Sequence, residues 1–68
     1  MTNNERKFLA EALGALKAAR RAVSMAQDSV GDVHLSSPSP ATDEIDDLCI
    51  AADAKIERAV ALLEAVTQ

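Results

Sequence analysis

The chain has 68 residues, 49% apolar and 26% charged, with a net charge of −4, one aromatic side chain, two glycines, two prolines and one cysteine. That length admits one domain at most and excludes a nucleotide-binding α/β fold or a barrel, and the lack of aromatics speaks against a β-sandwich. The lone cysteine excludes an internal disulfide framework and the lone histidine a zinc cluster. The longest uncharged stretch, from Val33 up to Asp43, is broken by prolines and serines, so neither a membrane span nor a secretory signal is read from it.

Fourteen of the apolar residues are alanine, so little bulky side chain is available for a core. A single core in a chain below about 70–80 residues rarely supplies more than roughly 3–5 kcal/mol. With neither disulfide nor metal expected, self-association or a partner is the remaining route to stability.

The first predicted element is a helix from Asn3 to about Val30, rich in Ala, Leu, Lys, Arg and Glu. Thr2-Asn3-Asn4-Glu5 fits a capping box, in which Thr2 and Glu5 each satisfy an orphan backbone donor. Gly31 sits where a C-cap glycine is expected. Gly14, inside the helix, costs about 1 kcal/mol relative to alanine and marks either a close helix contact or a tolerated surface position.

A loop of about 31–39 follows, punctuated by serine and proline, with Val33 and Leu35 expected to tuck onto the end of the structure. The second helix spans about 40–66: Ser39 is its N-cap and Pro40 its first helical residue. Asp43, Glu44, Asp46 and Asp47 put negative charge at the positive end of its dipole.

Leu9, Leu16, Val23 and Val30 recur every seven residues, with Ala12, Ala19 and Ala26 three positions after the first three. The second helix repeats the scheme with Cys49, Ile56 and Leu63 against Ala52, Ala59 and Val66, preceded by Ile45. Alternating bulky and small layers let two helices approach closely. The fold class is therefore all-α: one antiparallel two-helix hairpin over 1–68, expected to assemble into a four-helix bundle or a higher helical oligomer.

Phe8 and Leu13 flank the first seam near its start, and Val60 and Leu62 the second near its finish. The expected oligomer or partner interface is therefore Phe8, Leu9, Leu13, Leu16, Ile56, Val60, Leu62 and Leu63, gathered at the end that carries the termini. Charge is divided unevenly: residues 3–30 hold five basic and three acidic residues, and residues 40–68 two basic and seven acidic. Unlike helices should therefore pair.

Lys17, Arg20 and Arg21 form the one basic cluster and stand along one helical edge. In an oligomer such clusters converge and grip an anion through forked guanidinium donors. The competing account is that Asp46, Asp47 and Asp53 face the cluster and neutralise it. Cys49 reads as a small core residue whose lack of a partner suits a reducing, cytoplasmic setting, and His34 as a solvated loop residue.

No constellation of nucleophile, base or inward carboxylates is visible, so neither catalysis, cofactor nor metal is expected. The chain reads as a small non-enzymatic interaction or regulatory protein that self-associates, a dimer first, and binds a protein partner. The alternative is an oligomer that binds or sequesters an anionic nucleotide or phosphate ligand at subunit interfaces through Lys17, Arg20 and Arg21. An RNA-binding hairpin dimer comes third, since a charge of −4 and the absence of base-stacking aromatics disfavour nucleic acid.

Overall fold

A computed structural model describes residues 1–67; Gln68 lies outside the described residues. Helix α1 runs Asn3–Ser36 (34 residues) and helix α2 runs Pro40–Thr67 (28 residues), packed against each other as an antiparallel hairpin. The molecule measures 52 × 14 × 13 Å. Its long dimension is that of α1 alone, about 51 Å at 1.5 Å rise per residue.

The start of α1 keeps the Thr2 half of the capping signal: the Glu5 backbone N–H donates to Thr2 Oγ1 at 3.1 Å. Its end does not. The helix passes through Gly31 and stops at Ser36, so the connection is Ser37 to Ser39 rather than residues 31–39. Proline, and not glycine, sets the boundary. Pro38 has no N–H to continue the ladder and drives Ser37 out of the helical region (φ −141°, ψ 71°), while the Ser37 N–H still reaches the Val33 carbonyl at 2.8 Å. Continuing past Gly31 brings His34 over the start of α2, where its Nδ1 lies 2.5 Å from Thr42 Oγ1. Val33 and Leu35 do not tuck in; both are exposed.

Helix α2 starts where Ser39-Pro40 indicates. Ser39 Oγ accepts from the Thr42 N–H at 3.2 Å, and Thr42 Oγ1 accepts from the Ser39 N–H at 3.2 Å. This is a reciprocal capping box with threonine in the place usually taken by glutamate.

The seam keeps Leu9, Leu16, Val23 and Val30 of α1 and Cys49, Ile56 and Leu63 of α2 half-buried. Ala12, Ala19, Ala52 and Ala59 flank them on one side, also half-buried. The rest of the expected small column departs from expectation: Ala26, Ile45 and Val66 are exposed, and Gln27, Asp46 and Thr67 take the inward places. A straight helix slips by about 20° for each seven residues against a strict heptad. By its last turns α1 therefore presents Gln27, Gly31 and His34 instead of Ala26 and Val33.

Two columns thus flank the central one. The alanine column lies on one side; on the other run Leu13, Arg20, Gln27 and His34 of α1 against Asp46, Asp53, Val60 and Thr67 of α2. Arg20 bonds Asp53 directly, and an antiparallel pair in that register sets Leu13 opposite Val60, Leu16 opposite Ile56 and Gln27 opposite Asp46.

None of the described residues is fully buried. The accessible surface is 5035 Å², whereas a compact folded chain of this mass exposes about 4,100 Å². The radius of gyration is 15.7 Å against about 11 Å for a globule of this length.

Candidate functional site

Seen along its axis, the hairpin has two unlike sides. The first carries the charged column. Arg20 Nε donates to Asp53 Oδ1 at 2.9 Å and its Nη2 lies 3.4 Å from Glu57 Oε2. Lys17 Nζ lies 3.6 Å from Glu64 Oε1. The hydrogen bond to Asp53, then the charge of Asp53, raises the Arg20 guanidinium above its ordinary pKa, with a smaller contribution from Glu57. These groups are all about half exposed, so the pairs fix register more than they stabilise.

Of the expected basic cluster, Lys17 and Arg20 are thus engaged within the chain. Arg21 makes no ion pair among the described residues. Asp53 performs the neutralisation anticipated for it, but Asp46 and Asp47 do not; Glu57 and Glu64 take their part. All three basic residues, with Ser24, Gln27 and Val60, line an open groove of about 610 Å³ along this side.

A second open groove, about 660 Å³, lies at the turn and is lined by His34, Thr42 and four aspartates, Asp28, Asp32, Asp43 and Asp46. No three metal-ligating side chains among the described residues converge there or elsewhere. Cys49 is a half-buried free thiol in the seam.

The opposite side is apolar. Positions that follow the alanine column around α1 are Phe8, Ala15, Ala22 and Val33; around α2 they are Ile45, Leu48, Lys55, Leu62 and Val66. Phe8 is 64% exposed, Leu48 61% and Leu62 53%. In the antiparallel register Phe8, Leu62 and Val66 fall at the end carrying the termini, Ile45 and Leu48 toward the turn, and alanines between them. Lys55 is the one charged residue in this middle.

The structure therefore divides the expected margin. Leu13 and Val60 sit opposite each other, half-buried beside the charged column, while Phe8 and Leu62 stand exposed on the alanine side. Leu9, Leu16, Ile56 and Leu63 are spent on the hairpin's own seam. Ile45, Leu48 and Val66, which sequence reasoning assigned to the seam or passed over, belong to the open face. Their spacing of four and seven residues from Ala52 and Ala59 carried the signal.

No helix among the described residues is long and apolar enough to cross a membrane. Comparison with family models, with curated proteins and with solved structures found no match.

Proposed function

We propose that this chain is a non-enzymatic interaction protein that works as a self-associated helical hairpin and binds a protein partner in that state. One observation carries the reading: a hairpin none of whose described residues is buried leaves about 900 Å² more surface in water than a compact chain of its mass. Association is the means by which such a chain gains a core, because whatever binds the folded hairpin shifts the folding equilibrium toward it. Dispersed functional side chains and open grooves suit recognition better than catalysis, which needs a water-restricted pocket. The unpaired Cys49 suits a reducing cytoplasm.

Sedimentation velocity across a dilution series, with melting followed by circular dichroism, tests this. The expected result is a species heavier than one chain at micromolar concentration and a Tm that climbs with protein concentration. A folded monomer with a Tm independent of concentration overturns it.

A second reading rests on the groove lined by Lys17, Arg20, Arg21, Ser24 and Gln27. Arg21 is free to bind an anionic nucleotide or phosphate, with Ser24 and Gln27 supplying hydrogen bonds. Because Arg20 and Lys17 already hold carboxylates, this reading needs a second subunit to add positive charge. A thermal-shift series with inorganic phosphate and nucleotides separates the two: stabilisation that disappears in Arg21→Ala supports an anion site, and no shift with any anion removes it.

A further inference from the structure

We infer that the alanine-lined face is occupied by a second copy of this chain, with both turns at the same end and α1 of each copy lying against α2 of the other. This rests on the self-association proposed above and specifies its surface and geometry.

Area argues for a protein-sized occupant. The surplus of about 900 Å² per chain over a compact fold is close to the roughly 800 Å² that each partner contributes to a stable protein interface. The surplus also has a place to go. One side of the hairpin spends its polar groups on Arg20–Asp53, Arg20–Glu57 and Lys17–Glu64, whereas the other presents Phe8, Ile45, Leu48, Leu62 and Val66 to water.

Charge and shape argue for a second copy in one orientation. Within its observed bounds α1 has five basic and four acidic residues, net +1, and α2 two basic and seven acidic, net −5. Two hairpins meeting face to face about a twofold axis have two arrangements. With the turns at opposite ends, α2 lies along α2 and their acidic charges repel. With the turns at the same end, α1 lies antiparallel to the partner's α2, so a helix of net +1 runs along one of net −5 and the repulsion between the two acidic helices is relieved. That arrangement also sets small against large. At the level of the Arg20–Asp53 register, Ala22 and Ala26 of one copy face Leu48 and Ile45 of the other, and Phe8 faces Leu62. Lys55 meets alanines, along which its stem lies while its ammonium reaches the solvated rim.

The full chain tests this in two steps. Leu48→Asp and Leu62→Asp are expected to weaken the dimer by a hundredfold or more in sedimentation equilibrium. Ile50→Asp, an equally exposed residue (52%) on the other side of α2, leaves the dimer intact. Because a dissociated hairpin also loses helicity, Lys55→Leu supplies the opposite readout: a folded dimer about a hundredfold tighter, since the twofold axis buries one more leucine from each copy, each adding about 1.5 kcal/mol.

Orientation is read from spin labels at Ser37→Cys in a Cys49→Ala background. Turns at one end place the two labels about 20 Å apart, whereas opposed turns place them near the 52 Å length of the molecule; the shorter distance follows from the roughly 10 Å spacing of packed helices plus label length. A monomeric wild-type chain overturns self-association itself. A dimer indifferent to Leu48→Asp, Leu62→Asp and Lys55→Leu overturns the face, labels near the full molecular length overturn the orientation, and a species larger than two copies overturns the stoichiometry.

Discussion

The two sides of the hairpin use the same helices and the same register yet solve different problems. On the charged side long side chains cross from α1 to α2 and satisfy one another, so that side is complete within one chain. On the alanine side the neighbouring residues are too short to reach across, and the larger ones stand at the two ends with nothing of their own chain over them. The difference shows that an amphipathic helix pair need not be symmetric about its seam. A face of small residues costs little while it is exposed and permits close approach once it is covered.

The largest effect is expected where both sides depend on one residue. Ile56 lies in the central column between them, half-buried opposite Leu16. Ile56→Ala should cost about 2 kcal/mol, the lower end for a truncated core residue because the site is not fully enclosed. In a chain with only a few kcal/mol to lose, helical ellipticity at ambient temperature should fall sharply. Retention of a wild-type melt places the stabilising contacts elsewhere.

Next is a change that leaves both sides alone. A Cβ added at Gly14 meets nothing within 4 Å, so this glycine marks no close helix contact. Gly14→Ala should raise stability by about 1 kcal/mol through helix propensity alone. Its Tm gain should be the same at every protein concentration, which separates it from gains made at the alanine face. Of similar size and opposite sign is Ser39→Ala, which removes the N-cap of α2 and should lower stability by about 1 kcal/mol in the same melt.

The smallest effect belongs to the charged side. Asp53→Asn removes the main partner of Arg20, and the Tm should drop by only a few degrees at low salt and by less as salt is added. The pH dependence has a definite sign. Because the folded pKa of Arg20 is raised, its contribution is fully present below the ordinary arginine pKa and is lost only as pH rises through the raised value. Between neutral and moderately alkaline pH the Arg20 contribution should therefore stay constant, and the wild type and Asp53→Asn should melt with a constant offset. An offset that shrinks over that interval contradicts the assignment.

The hairpin itself was legible because Leu9, Leu16, Val23 and Val30, like Cys49, Ile56 and Leu63, recur at a spacing that only a helix puts on one side. The extent of α1 was not. Glycine signals a helix end by its conformational freedom, yet Gly31 is helical without a positive φ, and proline, which forbids continuation outright, acts seven residues later. The charged column was half legible. Asp53 is readable as a neutralising residue for the basic cluster that includes Arg20, but the inward place of Gln27 is not, because nothing in one helix shows what the other offers opposite. Phe8, Leu13, Val60 and Leu62 looked like one margin because all four flank the seam near one end. On which flank each falls depends on rotation about the helix axis, which the charged pairing of Arg20 with Asp53 fixes.

The proline-bracketed turn also governs a choice between pairing with oneself and trading halves with a neighbour. Two long helices whose inner surfaces repeat every seven residues are equally suited to clasping the matching half of another molecule, and a connection this brief would favour that exchange if it straightened into continuous helix. Pro38 forbids the straightening, and the link between His34 and Thr42 latches the bend shut. Replacing Pro38 and Pro40 together with alanine should let the chain extend into a rod and swap arms, so two residues remote from every recognition surface decide how many independent bodies are present.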